Sequence, residues 1–195
     1  GITPEERDHW LRVFAVMFSR SAFERAAPDA PSFHDTARRD AAFYEERVAK
    51  SLSDLVFRRL YPTLGKAVAK AAPAETSLDV IRQATLILLY RLLFILYAED
   101  RGLLPVRDSR FDDYALRVAR QDVGRRKDAG DAFSSVAKAI WSRFSSLAEM
   151  IDKGDPSVGL PPYNGGLFSG EATPLLGAIA LGDDIMAEAL DILSF

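Results

Sequence analysis

At 195 residues, with 48% hydrophobic and 27% charged side chains, the chain has the make-up of a folded globular domain, not of a disordered, collagen-like or low-complexity segment. It has no cysteine and only two histidines, His9 and His34, which removes disulfides, thiolate metal sites, cysteine nucleophiles and any multi-histidine metal centre. A formal net charge of −3 speaks against a protein that coats nucleic acid, while leaving room for a local basic face.

Apolar residues recur with helical spacing almost throughout. Thr3, Pro4 and Glu6 make a helix start, after which Trp10, Val13, Phe14 and Met17 line one face. A loop holding Pro28 and Pro31 ends this helix. Ser32 to Asp35 can cap the next, whose stripe of Ala41, Tyr44, Val48, Leu52 and Leu55 runs to Leu60. Pro62 marks a break or kink before a short helix to Ala71. Ser77 then caps a long helix that ends near Arg101, with Gly102 as its left-handed stop and Pro105 just beyond.

The stretch from Ala84 to Ala98 in that helix is apolar on nearly every face, so other elements should surround it. It carries Arg91 in its middle and falls short of the roughly 20 apolar residues a membrane span needs. With no basic-then-apolar leader at the start, a cytoplasmic location is expected. Gly1 in place of a methionine suggests a piece of a larger protein.

Downstream, the pattern predicts a helix over Asp112 to Val123 and a polar loop over Asp122 to Gly130. A stripe of Phe133, Val136, Ile140, Phe144, Leu147 and Ile151 follows, with Trp141 beside it. Gly154 to Gly170 should be irregular, and two short helices follow near Pro174 to Ala180 and Asp183 to Leu193. No alternating strand of useful length stands out. The expected fold is all-α, an irregular helical bundle around a central apolar helix at about 78–101, in one domain spanning 1–195.

Several chemistries lack their residues. No two glycines are separated by a single residue, so the G-x-G turn of dinucleotide, kinase and methyltransferase cofactor sites is absent. Gly65-Lys66 lacks the rest of a P-loop. None of the six lysines follows an acid at the spacing of an acid-x-Lys magnesium nuclease site. Ser135-Val136-Ala137-Lys138 matches S-x-x-K without a K-T-G partner, and reads as chance on a helix. His9 and His34 read as solvated or capping residues. No catalytic residue and no metal ligand is assigned.

Three constellations remain. The first is the helix segment Tyr90-Arg91 through Tyr97-Ala98-Glu99-Asp100-Arg101-Gly102-Leu103-Leu104-Pro105. A guanidinium at Arg91, inside an apolar helix, must be paired or it costs several kcal/mol. An acid from a neighbouring helix, or Glu99 and Asp100, could serve; a contact to a partner domain or a phosphate is the other reading.

The second is Pro161-Pro162-Tyr163-Asn164-Gly165-Gly166-Leu167-Phe168. It invites comparison with the Asn/Asp-Pro-Pro-aromatic motif of amino-methyltransferases, but Leu160 stands where a hydrogen-bond acceptor is needed. A packing loop is expected instead, with glycines free to take positive φ and Leu167 and Phe168 in the core. The third is an asymmetry of charge. Residues 101–127 carry eight basic and four acidic side chains, whereas 151–195 carry one basic and seven acidic. Arg110, Arg117 and Arg120, with Arg125, Arg126 and Lys127, could form a stripe toward DNA phosphates or a solvated face.

Taken together, YRLLFILYAEDRGLLP and the later PPYNGGLF resemble the helical region that precedes the methyltransferase core in type IIG-like, single-chain restriction-modification enzymes and related phage-defence adenine-N6 methylases. The stretches Trp10 to Phe23 and Phe43 to Leu60 look like the lead-in to that region, so the resemblance covers most of the chain, unevenly. It places Tyr90, Arg91, Tyr97, Glu99, Asp100, Arg101 and Gly102 on the helix motif. Pro162, Tyr163, Asn164, Gly165, Gly166, Leu167 and Phe168 fall on the loop motif.

Neither motif is catalytic in that family. The resemblance implies a helical connector, packed between methyltransferase and nuclease domains of one parent chain. S-adenosylmethionine, possible magnesium and DNA contact then belong to the parent. A stand-alone helical protein–protein interaction module is the alternative, and it should expose an apolar groove; a small enzyme with a dispersed acid/base site would need a deep pocket of perturbed ionisable groups.

Overall fold

A computed structural model describes residues 4–24, 30–40, 53–163 and 165–194. Thr3, Pro28, the stripe from Ala41 to Leu52, and Asn164 lie outside the described residues. The chain divides into two compact units, Gly1–Ser53 and Asp54–Phe195.

The first unit contains α1 (Pro4–Phe18), α2 (Arg20–Phe23) and α3 (33–40). Ser32 and Asp35 cap α3 reciprocally: the Asp35 N–H donates to Ser32 Oγ at 3.2 Å, and the Ser32 N–H donates to Asp35 Oδ2 at 3.1 Å. Phe14 is 60% exposed and tilts against Phe18 at 4.6 Å between ring centres. The side chains of Trp10 and Met17 lie outside the described residues.

The second unit opens with a helical run in which Pro62 makes no break. A proline lacks an N–H and its ring crowds the carbonyl four residues back. A π turn over Val56–Leu60 precedes α4 (Tyr61–Ala71) and widens the helix there, the Tyr61 N–H reaching the Val56 carbonyl. α4 buries Leu64 and Val68.

α5 (Leu78–Asp100) is the predicted central helix. Ser77 Oγ accepts from the Val80 N–H at 3.4 Å at its start. At its end Gly102 has φ +65°, the Leu103 N–H donates to the Ala98 carbonyl at 2.8 Å, and the Gly102 N–H donates to the Glu99 carbonyl at 3.1 Å. That double bond pattern is a Schellman stop, which a left-handed glycine allows. Leu88, Leu89, Leu92 and Ile95 are fully buried. Each contributes about 2 kcal/mol relative to an exposed side chain.

Around α5 lie α4, α6 (Leu116–Asp128) and α8 (Pro174–Ala178). α9 (Asp183–Ile192) packs on α4, α6 and α7 (Ala139–Lys153). By length and composition α5 could cross a membrane, with a mean hydropathy of 1.6 over its most apolar window. Its ten buried residues, Arg91 and Glu99 among them, are covered by this unit's own elements. The fold is all-α, and no strand occurs among the described residues beyond one isolated bridge between Asp155 and Leu160.

Two predicted boundaries are corrected. The segment read as a polar loop after Val123 is the last part of α6, so Arg125, Arg126 and Lys127 sit on a helix; their charge favours a helix C-terminus. The stripe read from Phe133 is not helical until Ala139, and Val136 is 81% exposed. There Ser134 Oγ accepts from the N–H groups of Val136 and Ala137, both at 3.1 Å, and the Ala137 carbonyl accepts from the Asp183 N–H at 2.8 Å. Local serine bonding outcompetes the helix. Ser135 and Lys138 therefore lie on this non-helical approach to α7 and not on a helix.

Candidate functional site

The two motif segments meet. Arg91 enters from the apolar flank of α5 and is 7% exposed. Its Nε donates to the Leu167 carbonyl at 2.7 Å, and its Nη2 donates to the Ser169 carbonyl at 3.1 Å. The guanidinium carbon lies 5.8 Å from the centre of the Phe168 ring. Phe168 is buried and meets Phe94 edge-on at 5.3 Å.

A carboxylate partner for Arg91 was the leading expectation. The structure supplies backbone carbonyls instead, with no ion pair to Arg91 among the described residues. The rigid guanidinium fork spans two carbonyls of one loop, which a point charge on a flexible stem does not do. Burial draws its pKa down from the ordinary arginine value, and the field of Asp152 opposes that drop.

The loop is fastened at two further points. Tyr163 Oη donates to the Leu103 carbonyl at 3.0 Å, just past the end of α5, and the Tyr163 N–H donates to the Ile151 carbonyl at 2.9 Å on α7. Gly154 makes the approach possible: it has φ +76°, and a Cβ there would lie 2.7 Å from the Pro162 nitrogen. The left-handed glycines of this region are Gly154 and Gly159, not Gly165 and Gly166 as the sequence suggested. Phe168 is in the core as expected, while Leu167 is half-buried.

Glu99 performs a task not visible in the sequence. It is 3% exposed, and its two carboxylate oxygens accept from the backbone N–H groups of Leu116 at 2.8 Å and Arg117 at 2.7 Å. Those are the free donors at the start of α6, whose own N-cap residue, Ala115, has no side-chain acceptor for them. Burial pushes the Glu99 pKa up to about 7, against the pull of the two N–H groups and of Arg117 and Arg120. Asp183 does the same for α7, its Oδ1 accepting from the Ile140 N–H at 2.9 Å. Both caps come from distant elements. The only sequence signal for them is the poor capping residue at each helix start, Ala115 and Lys138.

Of the other motif residues, Tyr90 and Tyr97 are half-exposed on the outer face of α5, with the Arg101 guanidinium 5.4 Å from the Tyr97 ring centre. Asp100 pairs with Arg120 at 2.9 Å. Beside the joint is a cleft of about 380 Å³ bordered by Arg91, Trp141, Asp152, Phe168 and Thr173. Thr173 Oγ1 is buried there without a hydrogen-bond partner.

The six candidate DNA-backbone residues are each matched with an aspartate. Arg110 pairs with Asp108 at 2.5 Å, Arg125 with Asp122 at 2.9 Å, Arg126 with Asp131 at 3.8 Å and Lys127 with Asp191 at 2.5 Å. Arg120 pairs with Asp100, and Arg117 with Asp112. Arg126 also lies over the Phe133 ring at 4.2 Å. The basic count of this stretch is thus largely neutralised at short range.

No group of three or more His, Asp or Glu side chains that could hold a metal occurs among the described residues. No family model, curated protein or solved structure matches this chain.

Proposed function

We propose that the chain is a non-catalytic helical spacer of a DNA restriction-modification methyltransferase. It sets the distance between a nuclease and an adenine-N6 methyltransferase domain of one cytoplasmic parent protein. The observation that carries this reading is the Arg91 clasp. It ties the helix motif to the loop motif across 76 and 78 residues of sequence, so the two segments behind the resemblance form one joint. A spacer must hold its geometry, and a buried bidentate tie does so. S-adenosylmethionine and magnesium belong to other domains of the parent.

A second reading, a helical protein–protein interaction module, draws support from the first unit. There Val13, Val16, Phe33 and Ala37 border an apolar groove, with Phe14, Phe18 and Phe23 each more than half exposed. The discriminating experiment is expression of the complete reading frame that encodes this chain, followed by an assay of DNA for N6-methyladenine. Methylation by the complete protein and none by the 195-residue chain is the expected result. A reading frame without a methyltransferase, or a product that leaves DNA unmodified, would overturn the spacer reading and favour the module.

A further inference from the structure

A second cleft, of about 440 Å³, lies in the Asp54–Phe195 unit between α4 and the segments that lead into α7 and α9. Lys66 and Lys70 border it from α4, one turn apart, and Ser135 and Lys138 border it from the approach to α7. The lysines differ from the six cations of the 110–127 stretch. Lys66 and Lys70 make no ion pair among the described residues, and Lys138 Nζ donates to the Ala180 carbonyl, a neutral partner.

The carboxylate in this lining is Asp184, so three lysines face one aspartate, on a chain whose formal charge is −3. Uncompensated cations lining a concave surface focus a positive potential there. The walls are held in place: Gly182 sits so close to the Ser135 carbonyl that a Cβ would lie 2.5 Å from it, and the Asp184 N–H donates to the Ser134 carbonyl at 3.2 Å. Mobile ammonium groups on long stems suit phosphate oxygens, which they meet as point charges.

We propose that this cleft, and not the ion-paired 110–127 stretch, seats phosphate groups, and that their source is the backbone of duplex DNA. The choice of DNA rests on the proposed restriction-modification role; the phosphate chemistry does not. The test is titration of the 195-residue chain with duplex DNA, and separately with inorganic tripolyphosphate, at two salt concentrations. Wild type is compared with the triple variant Lys66→Gln, Lys70→Gln, Lys138→Gln and with Arg125→Gln, Arg126→Gln, Lys127→Gln. Both variants change side chains at the surface, and circular dichroism checks that each keeps the helical fold.

The expected result is that the lysine variant lowers the salt slope of DNA binding by about 0.9 for each phosphate it no longer neutralises. The 125–127 variant should leave the slope nearly unchanged. Loss of tripolyphosphate binding in the lysine variant, with no wild-type binding to DNA, would uphold the phosphate site and overturn DNA as its source. Wild type that binds neither, or a lysine variant that binds both as wild type does, would overturn the site itself.

Discussion

Arg91 and the six cations between Arg110 and Lys127 satisfy their charge in opposite ways. Arg91 is buried, has no carboxylate within ion-pair distance among the described residues, and spends its fork on two carbonyls of a distant loop. The six are more exposed, and each has an aspartate at hand, five of the six drawing it from between Asp100 and Asp131. In water an exposed pair contributes little, because solvent already screens each charge. A buried guanidinium without its acceptors has no such refuge. Number of charges is therefore a poor guide to consequence here; burial and the nature of the partner decide.

The sharpest way to break the contrast is Arg91→Met. It removes the charge, keeps much of the volume and strands the Leu167 and Ser169 carbonyls in a part-buried site. A loss of about 3 kcal/mol is expected from denaturant unfolding. Arg91→Lys should recover only part of it, because one ammonium does not reproduce the in-plane fork.

Glu99→Ala comes next. It leaves two N–H groups at the start of α6 without their acceptor, and about 2 kcal/mol should be lost, read from the same unfolding curves. Glu99 also sets a pH signature. Its folded pKa lies near 7, above the ordinary glutamate value, because burial disfavours the charged form. The folded state then holds a proton that the unfolded chain releases. The stability from this proton is complete below the ordinary value of 4.5 and is lost as pH rises through about 7. The melting temperature of wild type, measured relative to Glu99→Gln, should fall between pH 5 and pH 8, that range being roughly the window the two pKa values bracket. A difference that stays flat would show that the two N–H bonds fully offset burial.

Smaller effects test the other side. Tyr163→Phe deletes one hydrogen bond to the Leu103 carbonyl at the protein surface, and about 0.5 kcal/mol is expected. Arg125→Gln, with a side chain 78% exposed, should change stability by less than about 0.5 kcal/mol, and added salt should mute even that. A large loss from Arg125→Gln would erase the distinction between the two regions.

The sequence exposed the central helix because its signals are local: Ser77 before it, Gly102 after it, and an apolar run between. It also identified Arg91 as a group in need of partners. It could not name them, since the carbonyls of Leu167 and Ser169 exist as acceptors in any loop and carry no residue signature. The long-range caps were hidden for a related reason. Glu99 and Asp183 look like ordinary acids until tertiary contact brings them onto α6 and α7. The start of α7 was misplaced because Phe133 and Val136 match the helical period, whereas the bonds of Ser134 favour a turn. The pairing of the basic stretch was hidden as well, because a count along the chain does not show that Asp191 or Asp100 will return to it.

Hydrogen exchange on Arg91→Met tests the clasp most directly. The Tyr163 and Phe168 amides, bonded to the carbonyls of Ile151 and Gly165, should exchange markedly faster than in wild type, while amides in the middle of α9 keep their protection in proportion to global stability. Loop amides whose protection falls no more than that of α9 would contradict Arg91 as the tie between helix and loop.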